Sequence, residues 1–177
     1  MNISTSRGDD PAAVEENRKR IANAVGVRPE HMVYTQQTHT TNVAIVTKED
    51  RGKILPETDG MITNDSEVCL VTFYADCVPL YFYDPVKKVV GLAHSGWKGT
   101  VEKIGTKMIN KMVDNYGSNP SDIICAIGPS ICQDCYEISK DVADRFKDMF
   151  KPENNKQMMI DKGGDKYQLD LHKACKF

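Results

Sequence analysis

Between residues 61 and 93, β-rich runs at 61–64, 68–74, 79–83 and 89–93 are joined by links of only a few residues. Parallel neighbours need a crossover of about a dozen residues or more, so these links are of hairpin length, and runs that pair directly across one of them do so antiparallel. The run 68–74 (VCLVTFY) is almost continuously apolar, the pattern of a strand covered on both faces and central in its sheet. The runs 79–83 and 89–93 flank Asp84-Pro85, with Lys87 and Lys88 at the tip of the turn.

Helical signals lie on either side of this block. Asp10 suits an N-cap, Pro11 the first helical position and Gly26 a stop, which predicts a helix over 12–25. Its inner stripe is Val14, Ile21, Ala24 and Val25. Further helices are expected over 101–116, stopped by Gly117, and over 139–150, capped by Ser139. Strands are expected at 32–36, 43–47 and 123–127, the last one buried, whereas 167–171 reads as a short strand or a lead into a helix. Residues 51–57 and 151–156 read as polar loops, the first ending at the turn Thr58-Asp59-Gly60. Such a mixture gives an α+β chain, an α/β sandwich with a mixed β-sheet rather than a doubly wound parallel fold. A length of 177 residues suits one domain, or most of a larger one.

Composition excludes several classes of function. A net charge of -2 supplies no basic field for nucleic acid. No apolar run approaches the roughly 18 residues of a membrane span, and residues 1–11 are polar, without a signal-peptide core. The expectation is a cytoplasmic protein, either a monomer or a homodimer, without nucleic-acid or membrane partners. Six cysteines occur at 69, 77, 125, 132, 135 and 175, and without a secretion signal they imply no disulfide framework. Cys69 and Cys125 lie in apolar runs and read as buried free thiols. The spacing Cys132-Gln133-Asp134-Cys135 is that of a zinc knuckle or a redox pair, with no second such pair to complete four ligands.

Three stretches carry the strongest chemical signal: Gln37-Thr38-His39, Ala75-Asp76-Cys77 and Ala93-His94-Ser95-Gly96-Trp97. Together they offer two imidazoles and a thiol at predicted strand ends. Three such ligands plus water describe a catalytic zinc site, which lowers the pKa of its water toward neutrality. The same residues also allow a Cys/His nucleophile pair with a spare histidine. Asp59 and Asp76 each read as a turn cap or as a functional carboxylate, in one case the acceptor for an imidazole N–H. Trp97 either walls a pocket for a planar base or packs in the core. Lys98-Gly99-Thr100 and Gly128-Pro129-Ser130 are weak anion-site candidates. His31 and His172 have no comparable neighbours and read as surface or helix histidines.

These stretches, with Thr58-Asp59-Gly60, Lys98-Gly99-Thr100, and Ile127-Gly128-Pro129-Ser130-Ile131 through Cys135-Tyr136-Glu137, resemble the YfiH/YlmD-type proteins. That family is known both as laccase-like multicopper polyphenol oxidase and as purine nucleoside phosphorylase. The resemblance runs from Gly8-Asp9-Asp10 to Leu169-Asp170-Leu171. It implies a YfiH-like fold grouped with cysteine hydrolases, and zinc-dependent phosphorolysis of adenosine, inosine, guanosine and methylthioadenosine, with adenosine deamination. Carried over by position, the metal ligands are His39, Cys77 and His94. Beside these, the residues' own chemistry offers Asp76 as a catalytic residue, with Asp59 or Asp76 as proton carrier, and Asp59, Trp97 and Lys98 as substrate residues. Thr40 stands where many members have glycine, and Lys98 where many have arginine, which removes a bidentate fork. The family continues past residue 177 and begins earlier, so residues 1–177 are expected to be one YfiH-like domain trimmed at both ends.

Rival readings are a copper-dependent polyphenol oxidase, a Cys77–His94 hydrolase in peptidoglycan editing, and a non-catalytic metal-binding scaffold. Laccase chemistry draws on several copper atoms and many histidines, and this chain has four.

Overall fold

The computed structural model describes residues 2–4 and 8–177. The polar stretch 1–11 includes residues 1 and 5–7, which lie outside the described residues. In chain order the first elements are α1 (Pro11–Ala24), β1 (Met32–Thr35), β2 (Val43–Ile45), β3 (Ile54–Leu55), β4 (Gly60–Thr63) and β5 (Cys69–Val71). The hairpin β6 (Val78–Asp84) and β7 (Val89–Ser95) follows, then α2 (Trp97–Val101), α3 (Ile104–Tyr116) and β8 (Ile124–Ile127). The chain continues through β9 (Glu137–Ser139), α4 (Lys140–Met149), α5 (Pro152–Met158), β10 (Met159–Gly163), β11 (Lys166–Leu169) and α6 (Leu171–Ala174).

A five-stranded sheet, ordered β2-β4-β7-β6-β8, carries most of the core. It is mixed: β2 runs parallel to β4 and all its other pairs are antiparallel. As the short link required, β6 and β7 form a hairpin, in register from Val78 opposite Ser95 to Asp84 opposite Val89. Buried Ile104, Met108 and Met112, four residues apart, form the stripe that α3 lays on this sheet. Room for Met108 is made by Gly60 and Gly91: a Cβ on either would come within 2.7 or 2.8 Å of its side chain. A parallel three-stranded sheet, β3-β1-β5, packs against α1 through Ala22, Met32 and Tyr34. Val33 of β1, Val46 and Met61 of β4 form a further cluster that ties the two sheets together. The third sheet, β10-β11-β9, is antiparallel.

Several expectations are corrected. Residues 68–74 are not a central strand: only Cys69–Val71 pair, at one edge of the small sheet and half-buried. Beyond the strand, Phe73 stacks on Tyr34 and the Tyr74 hydroxyl donates to the Ala93 carbonyl (3.1 Å), so the apolar run serves several surfaces. The strand at 124–127 is an edge rather than a buried element, leaving Cys125 exposed, and Cys69 is only partly buried. In α1 the buried residues are Val14 and Ala22, while Ala24 and Val25 face solvent. The expected helix over 101–116 is two helices, broken at Lys103, whose φ of 57° is left-handed. Residues 152–156 fall in helix α5, with Lys151 as its N-cap, and 54–55 form β3 rather than loop. Both readings of 167–171 hold in part: β11 leads into α6.

Candidate metal centre and active site

The site lies where the loop 36–42, the turn before β6 and the end of β7 meet. Asp59 organises it from below. Its carboxylate accepts the backbone N–H groups of Thr38 (3.2 Å), His39 (3.1 Å) and Thr40 (2.8 Å), and the Thr40 hydroxyl (2.9 Å). These bonds hold His39 at φ 60°, a backbone region that residues other than glycine seldom enter. Asp59 Oδ1 also lies 2.8 Å from His94 Nδ1, and the His94 backbone N–H donates to the Asp59 carbonyl at 2.7 Å.

With Nδ1 engaged by Asp59, His94 leaves Nε2 for another partner. Its ring meets that of His39 edge-on, with centroids 4.9 Å apart. Cys77 precedes β6, and its Sγ is 3.9 Å from His39 Nε2. The pairing of Val78 with Ser95 sets Cys77 beside Gly96, where a Cβ would come within 2.9 Å of His39 Cδ2 and 3.1 Å of Cys77 Sγ. Ligand atoms of His39, Cys77 and His94 all lie within 4.8 Å of one another. Exposure grades across the set: His94 is buried, Cys77 half-buried and His39 open to solvent. Two imidazoles and one thiolate are borderline-soft donors, so the residues fit zinc, and they equally suit copper.

Electrostatics follow the contacts. Burial pushes the Asp59 carboxyl up, but hydrogen bonds from His94, Thr40 and Thr38 bring it down to about 2. Burial works against a charged His94, and the bonds to Asp59 and Cys77 overcome it, raising the ring to about 9. His39 is held below the usual histidine range, first by the partial desolvation of its ring and then by the neighbouring His94.

A family model described as "Multi-copper polyphenol oxidoreductase laccase" matches residues 1–177. The chain belongs to this laccase-like YfiH family. It is 43% identical over 178 residues to "Purine nucleoside phosphorylase YlmD" of Bacillus subtilis, covering 97% of this chain and 63% of that protein. The crystal structure of YfiH from Bacillus licheniformis superposes with a TM-score of 0.93 at 33% identity, covering 99% of this chain and 68% of that one. YlmD from Geobacillus stearothermophilus gives 0.92 at 35% identity, with 99% and 67% covered. The chain therefore spans about two thirds of the length of these relatives, and its mixed α/β architecture is that of the family.

Around the cluster, the other residues singled out for this family separate by exposure. Asp76 is exposed in the turn before Cys77, its carbonyl accepting the Ile131 N–H at 3.0 Å, whereas Asp59 is 0% exposed. Trp97 opens α2 half-buried against the core, with Lys98 Nζ 5.7 Å and Arg145 Cζ 5.8 Å from its ring. In the Lys98-Gly99-Thr100 stretch the Thr100 hydroxyl bonds the Gly96 carbonyl and Ser95 Oγ, so it serves the fold. At the other candidate anion loop, Gly128 packs against Pro79 and Tyr81. His31 contacts Arg51 (3.0 Å) and His172 lies in α6, both outside the His39, Cys77 and His94 set. Sequence reading missed Tyr74, whose ring lies 5.7 Å from that of His94. It also passed over Tyr136, whose phenol is raised by burial and then by the charges of Cys77 and Asp76. Tyr136 was visible only as part of the Cys135-Tyr136-Glu137 signature, and nothing in the sequence pointed to Tyr74 as a neighbour of the histidine.

Proposed function

We propose that this chain carries the zinc site of a purine nucleoside phosphorylase, with His39, Cys77 and His94 as the ligands. The observation that carries the reading is the convergence of these three residues from three separate segments, with Asp59 set behind His94. The names of the curated relatives support the substrate class. Zinc held there acts as a Lewis acid that stabilises developing negative charge. Phosphorolysis places phosphate on the ribose C1′ and releases the purine. In this scheme the exposed Asp76 moves the proton, Trp97 offers a face for the base, and Lys98 attracts phosphate. Asp59, sealed beneath His94, positions that ring rather than touching substrate. Adenosine, inosine, guanosine and methylthioadenosine are the proposed nucleosides. Deamination of adenosine is a second reaction of the same site, again with Asp76 as proton carrier. A cytoplasmic location and a cysteine-hydrolase-like classification of the fold belong to the same reading.

The family's description favours copper as a rival, and the donor set takes either metal. Metal analysis with an oxygen-consumption assay separates the two. A Cys/His hydrolase is separated by its indifference to chelators. The deciding experiment is phosphate-dependent release of base from the four nucleosides by zinc-loaded protein, comparing wild type with His94→Ala. A loss of about 100-fold or more in kcat/KM is expected. Unchanged release in the variant overturns the metal-centred reading.

A further inference from the structure

A second pair of sulfur groups lies outside the His39, Cys77 and His94 cluster. Cys132 and Cys135 are both exposed, and they begin and end one tight turn. The Cys135 N–H donates to the Cys132 carbonyl at 3.1 Å, and Gln133–Cys135 form a 3-10 turn with Cys132 as the preceding cap. At a rise of about 2.0 Å per residue, the Cα atoms at i and i+3 of such a turn lie roughly 6 Å apart. That separation falls inside the Cα range of about 4.4 to 6.8 Å that a disulfide spans. The turn is held in this shape from both sides. Gln133 Nε2 donates to the Met158 carbonyl (3.2 Å), and Gln168 Nε2 donates to the Asp134 carbonyl (2.7 Å).

The two sulfurs are inequivalent. The Cys135 thiol and the backbone N–H groups of Cys135 and Asp134 face Cys132 and hold it below the ordinary thiol range. Cys135 is pushed above that range by its partner sulfur. Among the described residues, no third histidine, cysteine or carboxylate joins the pair in a metal-binding group. Two exposed thiols in closing geometry, one activated and no further ligand, match a redox pair better than a metal knuckle.

We propose that Cys132 and Cys135 form a thiol–disulfide exchange site, in which Cys132 attacks a small-molecule disulfide and Cys135 resolves the adduct. The Cys132 thiolate bonds to one sulfur of the external disulfide, whose S–S bond breaks and releases one thiol. Cys135, deprotonated to solvent, then attacks Cys132 Sγ, and the second small thiol leaves. The protein dithiol loses two electrons and two protons, and the external disulfide gains both as two thiols. The pair borders the zinc site proposed above: Ile131, one residue before Cys132, donates to the Asp76 carbonyl, and Tyr136 follows Cys135.

The test incubates reduced protein with glutathione disulfide at pH 7, quenches with acid, alkylates free thiols and maps peptides by mass. Wild type is expected to lose two of its six alkylatable thiols, both in the peptide holding residues 132–135, without a lasting glutathione adduct. Cys135→Ser is expected to trap glutathione on Cys132, at about 10-fold or more the level found on Cys69, Cys125 or Cys175. Retention of all six thiols, or an adduct in Cys135→Ser that falls mainly on another cysteine, overturns the proposal.

Discussion

Asp59 Oδ1 and His94 Nδ1 meet at 2.8 Å in a place solvent does not reach, the two side chains being 0% and 4% exposed. The same carboxylate gathers the N–H groups of Thr38, His39 and Thr40, so one side chain sets both histidines of the cluster. A carboxylate behind a ligating imidazole fixes its tautomer and raises its basicity.

Replacing Asp59 by asparagine keeps the size and removes the charge. Zinc affinity is expected to fall about 10- to 100-fold, the range found when such outer partners of a metal-bound histidine are changed. Competition against a chromophoric chelator measures it. An affinity within about twofold of wild type would show that His94 does not depend on Asp59 for its orientation.

Gly96→Ala tests how closely the proposed ligands are packed. With φ -77° and ψ 178°, Gly96 already has a backbone that alanine accepts, so any effect comes from space alone. The new Cβ would sit 2.9 Å from His39 Cδ2 and 3.1 Å from Cys77 Sγ. Displacing both by part of an ångström is expected to weaken zinc binding about 10-fold. The same titration reads it, with thermal unfolding of metal-free protein as the control for stability.

Metal removal supplies a third outcome. Stripping zinc with a chelator is expected to abolish base release, and restoring zinc to recover it. At a free zinc concentration about 100 times Kd the folded state gains about 2.7 kcal/mol, so the unfolding midpoint should rise with zinc. His94→Ala should show no such rise.

Met108 fills the space left by Gly60 and Gly91 and is fully buried. Met108→Ala is expected to cost about 2 to 5 kcal/mol in denaturant unfolding. It should leave zinc affinity unchanged, which separates damage to the core from damage to the site.

Asp84 ends β6, and its Oδ1 accepts the N–H groups of Val86 (2.8 Å) and Lys87 (2.9 Å) at the hairpin turn. Its carboxyl is held below the usual range by the Ser118 hydroxyl and then by the Lys87 N–H. A carboxyl depressed in the folded state adds stability above its unfolded pKa, and this is lost as pH falls through the folded value. Wild type should therefore be more stable than Asp84→Asn at pH 7, with the gap closing below pH of about 4. Urea midpoints across that range report it.

Legibility followed how local the determinants were. Asp10 and Pro11 announced α1, and the short Asp84-Pro85 link announced the hairpin, because capping and turn chemistry act over a few residues. The run 68–74 misled because continuous apolarity records burial without saying by what: its residues serve an edge strand, a stacked ring and the neighbourhood of His94. Lys103 gave no warning of a helix break, since lysine has no preference for positive φ. Within the site, the three motifs were legible as residue types with metal chemistry. Asp59 was legible as a candidate acceptor for an imidazole N–H, but that the imidazole is His94 depends on Gly60 pairing with Ala93, a long-range register that no local pattern encodes.

His39 keeps a left-handed backbone, φ 60°, where a side chain crowds the preceding carbonyl. Such a conformation costs of order 1 to 2 kcal/mol for a residue other than glycine. In the proposed site stability and ligation are thus opposed at this position, since glycine in place of His39 would relieve the backbone while depriving the cluster of an imidazole. Selection for thermal robustness alone would discard this histidine.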